Sequence, residues 1–452
     1  MAVRGARIAV VGGGLAGLAA ALECADAGAA VSLYEARRRL GGATFSVDRK
    51  GYWTDNGQHV LLRCCVCYLG LLRRLGVEHL VAMQPRLRLP VLREGKRAAW
   101  LTRARLPAPL HLLPSLLTYE PLSPAERVAA IRAATALRKL DPGDARLDRF
   151  TFGDWLRAHG QSRRAIAALW NLIALPTLNV DADEASLAQA VQVFRTGLLD
   201  SADACDIGVA GVPLQQLHGD AAARALDDAG ARVLVGTPVR AIDREPGGVR
   251  LQLDDGPDTA HAVIVAVPHY AAAELLPAGA IEHDPAALGV SPIVNLHVHY
   301  DRRVLAEPIA AALDSPVQFL FDRTVASGIE RGQLLVVSLS AADDEVGEPV
   351  EALRARYLPA LERLLPAARQ AEVLDFTVTR EPKATFRVTP GTKHLRPPQR
   401  TGVPGVYVAG AWTDTGWPAT MEGAVRSGLV AARAALDDLA VGAPAHEEVL
   451  AR

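Results

Sequence analysis

Residues 7–35 read RIAVVGGGLAGLAAALECADAGAAVSLYE, and the order of residue types in that stretch decides the fold. Arg7 to Val11 is a short apolar run of buried-strand character. Gly12, Gly14 and Gly17 follow at once in G-x-G-x-x-G spacing, and Leu15 to Gly28 carries a helix-compatible pattern. Ala29 to Tyr34 is a second strand ending at Glu35, 18 residues beyond Gly17. Strand, glycine turn, helix and a second strand closed by an acid form the context that a dinucleotide fingerprint requires. Gly12 permits the tight turn, Gly14 lets backbone approach a pyrophosphate, and Gly17 lets helix and sheet pack closely. Leu15 and Ala16 open the helix, whose free N–H groups suit an anion. Glu35 would accept from ribose hydroxyls, and a carboxylate there disfavours a 2′-phosphate. The fold class is α/β, with a Rossmann-like nucleotide domain.

The rest of the chain bounds what this domain serves. At 452 residues the protein exceeds a single core, so two connected domains are expected. Its 49 basic and 50 acidic residues nearly cancel, and there is no basic stripe or zinc spacing of a nucleic-acid binder. Five cysteines make no disulfide framework. Cys64, Cys65 and Cys67 cluster, but no second Cys or His pair lies at ligand spacing, so no metal is expected and they read as small core residues in a reducing cytoplasm. No apolar run reaches the roughly 18 residues of a membrane span. Three consecutive glycines, and the strand that needs its neighbour, argue against a signal peptide at the N-terminus.

Beyond Glu35 the chain continues ARRRLGGATFS, from Ala36 to Ser46. The spacing E-x₅-G-G, with Gly41 and Gly42, resembles the extended FAD signature of the amine oxidase and phytoene desaturase superfamily. That resemblance implies FAD contacts from Ala36, Gly41, Gly42, Ala43 and Thr44, and from Gly57, Gln58 and His59 in YWTDNGQHV. The family's usual basic residue after the glycine pair is missing, since Ala43 and Thr44 stand there; Arg37, Arg38, Arg39 or backbone would replace it. Val239, in TPVRAI, aligns with a residue whose backbone meets the adenine, and it reads equally as a core valine. Near the C-terminus, VYVAGAWTDTGWPATMEGAVRSG (Val406 to Gly428) reads as a strand, an irregular turn and a helix opening. The resemblance lays that opening, Met421, Glu422, Gly423 and Ala424, against the flavin, where helix N–H groups favour negative charge. Gly410 and Gly416 allow close approach. Ala411 stands where relatives carry Asp, leaving Thr413 or Asp414 as substitutes. Residues 1–65, 205–270 and 396–440 are therefore expected to build the FAD domain. Residues 66–204 and 271–395 would build an α+β substrate domain, with 441–452 a flexible tail.

The substrate segments lack polar catalytic clusters. PAERVAAIRAATALRKL is a helical pattern capped by Ser123 with Pro124 in its first turn. SRRAIAALWNLIALPTLNV is apolar nearly all round, with Pro176 expected to break it; it is core or a cavity wall. SPIVNLHVHY and QLLVVSLS read as adjacent strands covering that cavity. Arg105 to Pro124 is apolar, proline-broken and too short to span, which suits either a buried connector or a membrane-surface contact.

Taken together, TDNGQHVLLRCC, LWNLIALPTLNV, DIGVAGVPLQQLHGD, SPIVNLHVHYDR and AGAWTDTGWPATMEGAVRSG resemble the squalene-associated FAD-dependent desaturases, the hydroxysqualene dehydroxylases of bacterial hopanoid biosynthesis. The likeness implies that reduced flavin delivers hydride to hydroxysqualene, water leaves and squalene forms. Hydroxide leaves poorly, so the site needs a proton donor in an apolar tunnel and a group that tolerates transient positive charge. Asp55 and His59 are the first candidates for the acid, with the structural alternatives of turn former for Asp55 and backbone-carbonyl partner for His59; Asp206 and Asp414 stand behind them. Trp412 and Trp417 offer ring faces to a cation. The alternatives are a polyene desaturase on the same scaffold, an amine oxidase, disfavoured by only five lysines, and a non-catalytic FAD-containing lipid carrier. No second nucleotide fingerprint is present, so electrons would come from diffusing NAD(P)H or a partner reductase. The expected location is cytoplasmic, peripheral at the inner face of the membrane.

Overall fold

The computed structural model describes residues 3–49 and 51–442. The expected tail lies outside these residues from 443 onward, while 441 and 442 end the last helix, Met421–Gly442. A five-stranded parallel sheet has the order Arg232–Val235, Ala30–Glu35, Arg7–Val11, Ala262–Val265 and Val406–Val408. Its strands come from three distant stretches of chain. The Val239–Glu245, Gly248–Leu253 and Asp258–Ala260 strands form a separate antiparallel meander. Helix Leu15–Asp26 packs on the sheet and against the last helix. Small residues permit that contact: a Cβ on Gly428 would stand 2.1 Å from the Ala16 carbonyl oxygen.

The second layer is a seven-stranded sheet ordered 373–385, 291–300, 333–340, 319–322, 309–312, 88–92 and 99–102. Period-two alternation gives it two different faces. Val294, Leu296, Val298 and Tyr300, with Leu335, Val337 and Leu339, pack under helix Val350–Leu364. Leu334, Val336, Phe321 and Ile309 face the other way, toward Tyr119, Leu122, Ala168 and Leu172. The same face carries Asn295, whose Nδ2 donates to the Asn56 carbonyl (3.3 Å) and so ties this sheet to the segment after the first FAD motif.

Two expectations need correction. Pro176 does not break its helix: the helical run from Arg163 passes through a π-turn at 166–170 and continues to Leu178. A proline in the final turn forfeits only one bond. The end is set instead by Asn179, left-handed at φ 55°, whose side chain bonds the Ser291 carbonyl, Thr385 and the Ala341 amide. The three clustered cysteines are core residues only in part: Cys64, Cys65 and Cys67 are half-buried, with Cys65 and Cys67 packed against the core, whereas Cys24 and Cys205 are buried within it. In the 105–124 stretch, Leu112 and Leu116 pack into the core, and Leu106, Leu110 and Leu117 remain exposed. The Ser123 capping box forms, with the Glu126 amide on Ser123 Oγ and the Glu126 carboxylate on the Ser123 amide.

Candidate functional site

The glycine turns build a cradle of unpaired amides. Among the described residues the N–H groups of Gly14, Leu15, Ala16 and Gly17 have no acceptor, and the first closed bond runs from Leu18 to the Gly14 carbonyl. The second glycine pair faces them: a Cβ on Gly42 would come within 2.7 Å of the Gly14 Cα. Gly42 and Ala43 likewise have amides without acceptors, and Ala43 is exposed. Gly17 cannot carry a side chain, because its Cβ would stand 1.9 Å from the Gly12 carbonyl oxygen. Such a cluster of free N–H groups at a helix start suits a diphosphate. Glu35 is buried and fixed, accepting the Gly13 and Arg37 amides at 2.7 Å each. Ala36 is exposed beside it, and the Gly236–Thr237 turn donates to the Arg37 and Glu35 carbonyls, bringing buried Val239 alongside. Arg39 stands in part where the missing basic residue would be: its guanidinium donates to the Gly42 carbonyl (3.0 Å) and lies 3.5 Å over the Phe45 ring. Gly41 carries the Thr44 hydroxyl on its carbonyl, closing the turn.

The last helix supplies a second cluster. The Met421 and Glu422 amides have no acceptor among the described residues, while the Gly423 and Ala424 amides are capped by Thr420. The Glu422 side chain, however, turns away from this opening. It is fully buried, accepts the Cys67 and Tyr68 amides at 3.1 and 2.8 Å, and pairs with Arg426 at 2.6 Å. Glu422 thus caps the helix Val66–Arg74, whose own N-cap, Cys65, offers no side-chain bond. Of the expected flavin contacts in this stretch, only its backbone faces the opening.

The turn before it also differs from expectation. Asp414 is exposed and closes an Asx turn on the Gly416 amide. Thr413 is buried, its hydroxyl on the Gly410 carbonyl. Neither reaches inward as a substitute for the missing Asp. Arg396, which the sequence did not single out, organises the turn: its guanidinium donates to the carbonyls of Ala411 (3.1 Å), Trp412 (3.3 Å) and Thr413 (2.6 Å). Burial pulls it down to about 10. The Gly410 amide is held by Ser427 Oγ (2.7 Å), fixing the turn to the last helix. Trp412 is core, its indole N–H on the Val267 carbonyl (2.9 Å), so it offers no free face to a cation. Trp417 is half-buried, with the Arg426 guanidinium 5.0 Å over its ring.

Buried charge dominates the segment around Asp55. Its carboxylate pairs with Arg323 at 2.8 Å and accepts from Ser46 (2.6 Å) and the Leu214 amide (3.1 Å). Arg323 also donates to the Ala210 and Val212 carbonyls. Asp55 is therefore a joint between four stretches of chain. Asp206 is clamped by Arg63 (3.1 Å), Arg103 (2.6 Å) and the Leu87 amide (2.8 Å). Burial opposes its ionisation, but those bonds outweigh it and hold its carboxyl below the usual range, so at neutral pH it carries no proton to give. His59 lies with Gln58 on a small cavity also lined by the Asp55–Arg323 pair and by Val60, Val209, Leu214 and Phe321. Burial, only partly offset by Asp55, pushes its imidazolium down to about 4. Gly57 is buried beside the ring; a Cβ there would stand 3.4 Å from His59 Nε2.

The result is a dinucleotide cradle, a helix opening with free amides, and an apolar layer packed on the second sheet beside the small cavity at Gln58 and His59. The residues present fit FAD: two sets of unpaired amides for its phosphates and pyrimidine edge, a fixed acid for its ribose, and glycine surfaces that admit it closely. That combination defines an FAD-dependent oxidoreductase. The family described as "Flavin containing amine oxidoreductase" matches residues 15–436, and the chain belongs to it. It is 31% identical to the hydroxysqualene dehydroxylase of Rhodopseudomonas palustris, over 94% of this chain and 96% of that protein. It is 25% identical to the zeta-carotene desaturase of Synechocystis, over 95% of this chain and 97% of that one. Among solved structures, wild-type putrescine oxidase bound to putrescine superposes with a TM-score of 0.71 at 20% identity, covering 96% of this chain and 99% of that chain. No helix among the described residues is long and apolar enough to cross a membrane.

Proposed function

We propose that the chain removes the hydroxyl of hydroxysqualene reductively to give squalene, a step of hopanoid and triterpene precursor synthesis. The observation that carries this reading is the apolar layer of Phe321, Leu334, Val336, Leu172 and Ala168, which borders the small cavity at Gln58 and His59 through Phe321. Asp55 and Arg323 also line that cavity, but they are paired with each other at 2.8 Å and leave no free charge to anchor a polar substrate. A hydroxylated hydrocarbon needs none. Similarity to a hydroxysqualene dehydroxylase over nearly the whole length of both chains supports the same substrate class.

FAD, when bound and reduced, supplies the hydride. The apolar wall orients the polyene and excludes water, which prolongs any carbocation and strengthens local electrostatics. His59 hydrogen-bonds the carbinol oxygen. With its conjugate acid pushed down to about 4, chiefly by burial, His59 is neutral at neutral pH and acts on that oxygen as a neutral hydrogen-bond partner, not as the proton donor. Trp417, with the Arg426 guanidinium over one face of its ring, has only the opposite face to offer to the positive charge left on the substrate. Asp55, held by Arg323, positions the segment that carries His59. The Arg105–Pro124 stretch, through Leu106, Leu110 and Leu117, meets the membrane surface from which so apolar a substrate comes. Electrons reach the flavin from NAD(P)H or a reductase.

The test is anaerobic. Photoreduced holoprotein is mixed with hydroxysqualene, and flavin reoxidation with stoichiometric squalene is the expected result. A polyene desaturase is the second reading, favoured by the zeta-carotene desaturase similarity. It requires the opposite flow: oxidised flavin bleached by a polyene, with no reoxidation by hydroxysqualene.

A further inference from the structure

We propose that Cys64 and Cys67 form a peroxide-oxidisable dithiol at the surface end of helix Val66–Arg74, with Cys64 the attacking sulfur and Cys67 the resolving one. The two cysteines are spaced C-x-x-C across the start of that helix, an arrangement that favours redox chemistry. They are half-exposed on a turn whose Val66 is 53% exposed, so a small oxidant reaches them. The neighbouring Cys65 thiol draws the Cys64 thiol below its ordinary range. Glu422 accepts the Cys67 amide at 3.1 Å. Burial first, then that carboxylate, push the Cys67 thiol up, so the carboxylate stands beside the thiol as its base. Cys65 is a poor resolving partner: adjacent Cα atoms lie about 3.8 Å apart, short of the roughly 4.4–6.8 Å that a disulfide spans. Residues three apart around a helical turn face each other, with about 5–6 Å between Cβ atoms. Only the non-helical Cys64 has to move.

The chemistry balances with a hydroperoxide as the oxidant. The Cys64 thiolate attacks one peroxide oxygen; an S–O bond forms, the O–O bond breaks, and the departing oxygen leaves as an alcohol or water after taking a proton. Cys67 then attacks the sulfenic sulfur, Glu422 taking its thiol proton. The S–S bond forms, the S–O bond breaks and water leaves. Two thiols have lost two electrons, and the peroxide has gained them.

Trypsin cuts after Arg63 and Arg73, releasing all three cysteines in one peptide. FAD-loaded, thiol-reduced protein is treated with hydrogen peroxide, denatured with alkylating reagent and digested. The expected peptide has lost two hydrogens and carries one alkyl group, on Cys65. Cys67→Ser should trap a dimedone-reactive sulfenic acid on Cys64, and Cys64→Ser should leave the peptide fully alkylated. Oxidation at this peptide should outpace that of buried Cys205 by at least about tenfold. Three alkyl groups on the wild-type peptide after oxidation elsewhere in the chain, or a dimedone label on Cys67 instead of Cys64, would overturn the proposal. Should either variant lose its flavin, mapping of the wild-type protein alone decides.

Discussion

The two halves of the molecule that meet at His59 are organised by different parts of the chain. On the nucleotide side backbone does most of the work: unpaired amides at Gly14 to Gly17, at Gly42 and Ala43, and at Met421 and Glu422, brought together by glycines that cannot carry side chains. On the substrate side backbone is consumed in a seven-stranded sheet, and side chains make the site: Phe321, Leu334 and Val336 as wall, Asp55 and Arg323 as buried brace. A backbone site tolerates no added volume, whereas a side-chain site tolerates volume better than an unpaired charge. The halves should therefore fail differently when perturbed.

The largest effect is expected at Gly17→Val, whose Cβ would overlap the Gly12 carbonyl at 1.9 Å. No shift of a flexible neighbour can relieve a clash with backbone, so the variant should purify colourless or insoluble, and retention of stoichiometric FAD would break the comparison. Next, Arg323→Met leaves Asp55 buried without its partner and should cost about 3–5 kcal/mol, read as a fall in denaturation midpoint. Adding Asp55→Asn should recover part of that loss. A double variant no better than the single one would mean that Arg323 acts by packing rather than charge.

The third prediction concerns pH. Burial, as the main cause, pushes His59, His218 and His297 down to about 4, about 3 and about 4. The unfolded chain binds those protons near pH 6.5, whereas the folded chain stays neutral. Unfolding therefore takes up protons, and stability rises with pH through this window. The contribution is complete above about 6.5 and is lost as pH falls toward 4. A melting temperature flat from pH 7 to about 4.5 would exclude a neutral trio. Smaller again, Glu422→Gln removes the charge that pairs with Arg426 but keeps an acceptor for the Cys67 and Tyr68 amides. It should cost about 1 kcal/mol, with Glu422→Ala costing more. Least of all for stability, Leu106→Asp with Leu117→Asp should stay within about 0.5 kcal/mol of the parent while reducing co-sedimentation with liposomes. Unchanged sedimentation would remove the membrane from the proposed function.

The nucleotide half was legible because its requirements are local. Strand, G-x-G-x-x-G, helix and acid occupy consecutive positions, and the structure places the strands 7–11, 30–35, 232–235, 262–265 and 406–408 in one parallel sheet. The acid candidates were not legible. Asp206 read only as a second-rank acid candidate in sequence; its two arginine partners are 103 and 143 residues away. Glu422 sat in the right motif but points at a helix that starts more than 350 residues earlier. Arg323 and Arg396 gave no signal, because a lone arginine in a strand end or loop reads as surface until its carbonyl and carboxylate partners are known. Arg396 lies 15 to 17 residues before the carbonyls it holds, too far for any local pattern.

Periodicity and glycine spacing thus determined the parallel nucleotide sheet, the alternating faces of the strand at 291–300 and the class of cofactor, since those follow from backbone geometry that a short window of residues imposes. Which carboxylates are braced, which way Glu422 turns, and which leucines stay in solvent were decided only by the folded molecule. A side chain's protonation and reach depend on neighbours that chain order does not specify, and burial sets their strength.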